Sequence, residues 1–327
     1  MEIWLGRKAE KEMELWFGRR ARTYRAQSSV TERGPSRVER LPYCPSVALA
    51  VVAAVTAAVS FFFWGVFDRN TPMTVGNMRG TALAMLVIAV PILVGSMILA
   101  SHGSLRARLV WLGALAYIAY NAVMFCFALQ FDSFFLLFVA LLALSFWALV
   151  ALLSRFDLAA ASAAGAGVPV RTVVVYMLAC LVLFAVMWLR DIIPATIGNV
   201  LPDSFQGTGL TQNPIYVLDF AFTFPLLAIG AAWLWQRRPW GYVIGGMMLV
   251  MLTIETAGIA IDQAFGHIHD PAQSLGAVPI MLVLTAIGLV FSLLFLRGVR
   301  SSPVPSIARA SVAGLAAPLN PQPVRGK

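Results

Sequence analysis

The chain has 327 residues, of which 60% are hydrophobic and 12% charged. Soluble domains average roughly 45–50% apolar and about 25% charged residues, so this composition excludes a water-soluble enzyme, a disordered chain and a disulfide-stapled secreted domain. With a mean hydropathy of +0.81 the chain reads as an integral membrane protein, and its formal charge of +9 has to be explained by where the basic residues lie.

Residues 1–44 carry ten of the 24 basic residues and six of the 15 acidic ones. They read as a solvated basic tail, within which Trp4, Leu5, Met13, Leu15, Trp16 and Phe17 could stripe a short amphipathic helix on an anionic membrane surface. A later start codon would shorten this tail and leave the membrane part whole. It does not read as a secretory signal, because its basic region is too long and the next apolar run is long enough to span.

Eight apolar runs come next, at about 46–67, 80–100, 108–130, 133–154, 172–190, 213–236, 240–262 and 275–297. A helix needs about 20 residues to cross a hydrocarbon core of ~30 Å. Strands would leave backbone groups unpaired in lipid, and the alternation of a membrane barrel is missing. The sequence therefore predicts an all-α bundle of about eight transmembrane helices over 45–298. Only Gln130 to Ser133 separate the third run from the fourth, which suits a tight helical hairpin. The 156–170 linker reads as a small-residue connector and 299–327, rich in Ser, Pro and Ala, as a disordered tail.

Lys and Arg fix the orientation. With eight spans both termini share a side. That side collects the ten basic residues of the first tail, two in each of three loops (Arg106 and Arg108, Arg155 and Arg171, Arg237 and Arg238) and five from Arg297 onward. The opposite side holds only Arg69, Arg79 and Arg190. The positive-inside rule then makes both termini cytoplasmic. The net charge is a topology signal, so no nucleic-acid partner is expected, and the localisation expected is the cytoplasmic membrane. The bilayer is the first partner, and a second copy or a partner subunit is a further one.

A faint internal repeat accompanies this pattern. Trp64 and Trp188 end the first and fifth runs, Pro72 and Pro194 come after them, and Pro91 and Pro225 interrupt the second and sixth. A parallel duplication of four spans would give this arrangement, as in many transporters.

No catalytic signature is present: there is no P-loop, dinucleotide fingerprint, H-E-x-x-H or nucleophile elbow. No enzyme activity and no cofactor are therefore expected. Cys44, Cys126 and Cys180 lie far apart and form neither a disulfide framework nor a C-x-x-C site. His267 and His269, in an expected outer loop beside Asp270, make a weak metal motif, and no metal site is predicted from it.

Intramembrane charge is the informative feature, since a carboxylate at mid-bilayer costs at least ~2.5–3.5 kcal/mol on insertion scales. Glu255 lies about two-thirds along the seventh run. Asp262 comes one heptad later on the same face, Asp219 lies about two turns into the sixth run, and Asp191 ends the fifth. On the third run Tyr117, Tyr120 and Asn121 share one face. Each of these seven has an ordinary reading as packing or headgroup polarity. Together they have a functional one: an outward-facing polar cavity for a proton, a small cation or an amine solute. A carboxyl at the depth of Glu255 must either hold a proton or find a partner. The reading is of a small-solute or ion-coupled permease, the alternative being a non-transporting membrane subunit or sensor that binds a partner protein.

The tight turn Trp233-Leu234-Trp235-Gln236-Arg237-Arg238-Pro239-Trp240-Gly241-Tyr242 anchors the sixth and seventh runs at headgroup depth. An aromatic helix end followed by Arg-Arg-Pro-Trp-Gly-Tyr resembles uncharacterised multi-spanning membrane proteins of bacteria. The likeness covers these two runs and implies no activity.

Overall fold

A computed structural model describes residues 41–300; the expectations for the two tails fall outside them. Among the described residues eight helices are long and apolar enough to span a membrane, as the run lengths predict. In chain order they are α1 (Tyr43–Phe62), α2 (Pro72–Ser101), α3 (Leu105–Phe127), α4 (Phe135–Leu153), then a short α5 (Leu158–Ala164), α6 (Val170–Gly198), α7 (Pro214–Trp235), α8 (Pro239–His269) and α9 (Ala277–Gly298).

Three boundaries differ from the sequence expectation. α2 starts at Pro72, which serves as its first-turn proline behind the Thr71 cap, so Asn77 and Arg79 belong to a helix and Arg79 is buried. α6 continues past Asp191 to Gly198, and α8 continues past Asp262 to His269. The expected outer-loop histidines therefore sit on the last turn of α8. Their Nδ1 atoms lie 2.7 Å from the Gln273 carbonyl oxygen and 2.9 Å from that of Phe265. No group of three metal-ligating side chains forms among the described residues. The small-residue connector after α4 also folds: Asp157 caps α5, and Gly165 packs directly against the ring of Tyr242.

α3 and α8 are the central helices, with 78% and 67% of their apolar windows buried, against 28%, 28% and 22% for α4, α6 and α9. The outer helices turn residues such as Leu136, Val186 and Leu282 outward, as lipid contact allows. Close packing around α8 depends on small residues. Gly76 and Gly80, one turn apart on α2, lie on the backbone of α8, and a Cβ on Gly80 would strike the Cα of Asp262.

Several buried positions of α1–α4 recur in α6–α9 at a constant shift for each pair of helices. Shifted by 124 positions, the buried residues Ser46, Leu49, Ala53, Thr56 and Ser60 of α1 fall on Val170, Val173, Met177, Cys180 and Phe184 of α6, all buried. Shifted by 134, the π-helical turn Met85–Ala89 of α2 falls on Asp219–Thr223 of α7. Each is followed by a 12-residue helical end whose buried positions coincide: Leu93, Ser96, Met97 and Ala100 with Leu227, Gly230, Ala231 and Leu234. The next turns match as well, since Gly103 and Arg237 are the left-handed residues of each, at φ +82° and +55°. Shifted by 147, Leu141, Ser145 and Ala148 of α4 fall on Gly288, Ser292 and Phe295 of α9. The π turns share a cause. Pro91 and Pro225 lack an N–H and crowd the carbonyl four residues back, Val87 or Ala221, so the helix widens there. Four spans return the chain to the side it left, so the two sets of four spans run parallel.

Candidate functional site

Asn121 of α3 and Glu255 of α8 are equivalent positions in the two halves, 134 residues apart, and they touch. Asn121 Nδ2 donates to Glu255 Oε2 at 2.9 Å and also reaches the Tyr117 carbonyl at 3.2 Å. α3 and α8 are the most buried spans, so this contact lies in the middle of the bundle.

Asp219 opens the π turn of α7 and is buried. The widened turn aims it inward, where Tyr120 Oη donates to Oδ1 at 3.1 Å and Trp188 Nε1 donates to Oδ2 at 2.7 Å. One carboxyl thus ties α3, α6 and α7 together. Between Asp219 and Glu255 lies a chamber of about 30 Å³, walled also by Tyr120, Trp188, Thr223 and Thr256. A water molecule takes up about 30 Å³ in the liquid, so the chamber has the scale of one water or one small cation.

Above the chamber is a vestibule of about 580 Å³. Trp188 and Ile259 line both spaces and form the partition between them. The vestibule opens among the loops after α6 and α8, on the face poor in Lys and Arg. Five methionines (Met73, Met78, Met124, Met187, Met281) line it, with Asn77, Gln263 and Gln273 at one wall.

Of the seven residues picked out from the sequence, Tyr120, Asp219 and Glu255 converge on the chamber, and Asn121 holds Glu255. The other three are placed differently. Asp191 lies about two turns before the end of α6, where Ser204 Oγ donates to it and Tyr216 Oη donates at 2.7 Å. Asp262 is outside both cavities: its backbone packs on Gly80, and its Oδ1 accepts from Gln263 Nε2 at 3.1 Å. Tyr117 shares the helix with Tyr120 but turns its buried hydroxyl toward Gly258, without a hydrogen-bond partner. Tyr120 reaches Asp219 of α7, whereas Tyr117 abuts α8 at Gly258. Sequence reasoning missed the chamber role of Trp188, Thr223 and Thr256, and the amide wall of the vestibule. The four-residue step from Asp219 to Thr223 was the available signal.

No family model, curated protein or solved structure matches this chain.

Proposed function

We propose that this protein is an ion-coupled permease-like protein of the cytoplasmic membrane, with both tails inside and the vestibule facing out. The observation that carries this reading is that Asp219 of α7 and Glu255 of α8 line one small cavity inside the bundle, below the larger vestibule. Substrate and coupling-ion sites of many transporters lie near the bilayer midplane, at this kind of depth. The chamber admits a proton, a water or a small cation and nothing larger. The vestibule has the size of a small-solute site. In this reading the protein catalyses no covalent chemistry.

The test is proton and monovalent-cation flux into proteoliposomes loaded with a pH indicator, for the parent and for Glu255→Gln. Gln keeps the shape and the bond to Asn121 but cannot titrate. The reading expects folded Glu255→Gln protein without pH-dependent flux. Unchanged flux would favour a polar packing contact inside a non-transporting subunit.

A further inference from the structure

Asp191 stands outside the chamber, yet a chain of side chains connects it to the chamber's edge. Its Oδ2 accepts two hydroxyl protons, one from Ser204 in the loop after α6 and one from Tyr216 in the first turn of α7, the latter at 2.7 Å. Tyr216 is buried, and its ring centre lies 6.0 Å from that of Phe205 and 5.1 Å from that of Trp188. Trp188 in turn donates its indole N–H to Asp219 Oδ2 at 2.7 Å. The ring that separates the two cavities is therefore held twice: by a carboxyl of the chamber at its nitrogen, and by a tyrosine whose hydroxyl is fixed at Asp191.

Cavity size decides which way this ring has room to move. The chamber, at about 30 Å³, cannot take an indole, whereas the vestibule measures about 580 Å³. A displaced Trp188 ring finds space on the vestibule side, and Tyr216 lines that side. Met124, Met187 and Met281 line it as well, and unbranched thioether side chains repack around a moving neighbour. We propose that Trp188 is a gate between the vestibule and the chamber, and that Asp191 is the positioning residue that holds it shut through Tyr216. With the ring in place the chamber is closed off; with the ring turned outward, water and small cations from the vestibule reach Glu255 and Asp219. Asp191 lines neither cavity, so its effect on the chamber passes through Tyr216 and Trp188. The loop has a second attachment, because the Thr208 carbonyl accepts from Thr74 Oγ1 at 2.8 Å and from Thr71 Oγ1 at 3.2 Å. Loss of the Asp191 carboxylate therefore frees the tyrosine without releasing the loop. The inference rests on the two cavities of the proposed function and adds the device that controls passage between them.

The experiment uses the full chain in lipid nanodiscs, with Cys44, Cys126 and Cys180 replaced by alanine and one reporter thiol added. Thr256→Cys places the thiol at the chamber, and Ala277→Cys places it at the vestibule. The rate of modification by 2-aminoethyl methanethiosulfonate is followed by intact mass. The thiol at position 256 is expected to react slowly in the parent and about tenfold or more faster in Asp191→Ala, the scale of a lost hydrogen bond to a carboxylate. Tyr216→Phe keeps the ring but drops its tie to Asp191, and should shift the rate in the same direction. Trp188→Ala should bring the rate close to that at position 277, and the rate at 277 should stay within about twofold throughout. Equal rates at position 256 in the parent, Asp191→Ala and Tyr216→Phe would overturn the assignment. So would a Trp188→Ala protein no faster than the parent. Parallel acceleration at position 277 would overturn it as well, because Asp191 would then hold the loop as a whole and not the ring. Where Asp191→Ala fails to fold, Tyr216→Phe decides. None of these rates depends on transport, so the gate and the flux test at Glu255 fail separately.

Discussion

Asn121 and Glu255 occupy the same position in the two halves of the bundle and are hydrogen-bonded to each other at 2.9 Å. One half contributes an amide and the other a carboxyl, so the acid is one-sided in a framework that is otherwise repeated. The counterparts of Asp219 and Asp262 under the same shift are Met85 and Ala128.

Exchanging the pair tests this relationship. Asn121→Glu alone sets two carboxyls face to face at mid-membrane and should destabilise the fold by about 2–4 kcal/mol, or force one of them to hold a proton. Adding Glu255→Asn moves the single acid from α8 to α3 and should recover most of the loss. Thermal unfolding of the two single variants and the double variant reads the coupling; additive losses would mean that the positions are not equivalent.

Two glycines on α2 should respond oppositely to alanine. At Gly80 the new methyl meets the α8 backbone at Asp262, and an overpacked contact of this kind costs about 1–3 kcal/mol. At Gly95 a Cβ meets nothing within 4 Å, so Gly95→Ala should be neutral or stabilising by up to about 1 kcal/mol through helix propensity. Melting temperatures in one detergent compare them directly.

Trp188→Phe keeps an aromatic partition but removes the N–H that Asp219 accepts at 2.7 Å. The cost should be about 1.5–3 kcal/mol, as for other hydrogen bonds to charged groups. Quenching of the remaining tryptophans by a water-soluble quencher should not change; a large increase would mean that the bundle had opened.

On the loop between α3 and α4, Asp132 Oδ2 is buried without a hydrogen-bond partner. Burial raises the Asp132 carboxyl above its usual range, against the lowering effects of the Phe134 N–H and Arg69. An acid that holds its proton longer when folded favours the fold at low pH, and this contribution is lost as pH rises from the ordinary carboxylate value through the raised one. Asp132→Asn keeps the contact from the Phe134 N–H at Oδ1, so it should flatten that part of the pH–stability curve. An unchanged slope would mean that another group is responsible.

Most of the architecture is legible in the sequence, because lipid imposes a single rule on each run: enough apolar residues to cross, with every backbone group paired inside the helix. Helix ends are less legible. Asn77, Arg79, His267 and His269 read as loop residues on polarity alone, yet they continue helices, and the glycines of α2 let the backbone of α8 come close there, where Arg79 is buried. The repeat is half visible: Trp64 with Trp188 and Pro91 with Pro225 are its identities, but Asn121 with Glu255 becomes a pair only when buried faces are compared. Periodicity places Tyr120, Asp219 and Glu255 on their own helices and says nothing about which helices are neighbours, so the chamber emerges only from the packing.

The most direct test of the account is charge displacement on a pH jump, recorded from proteoliposomes adsorbed on a solid-supported membrane, for the parent, Glu255→Gln and Glu255→Leu. If the chamber between Glu255 and Asp219 takes up a proton or a small cation from the vestibule side, the parent gives a transient, and both variants lose it while remaining folded. A Glu255→Leu protein that is more stable than the parent and gives the same transient would contradict the account.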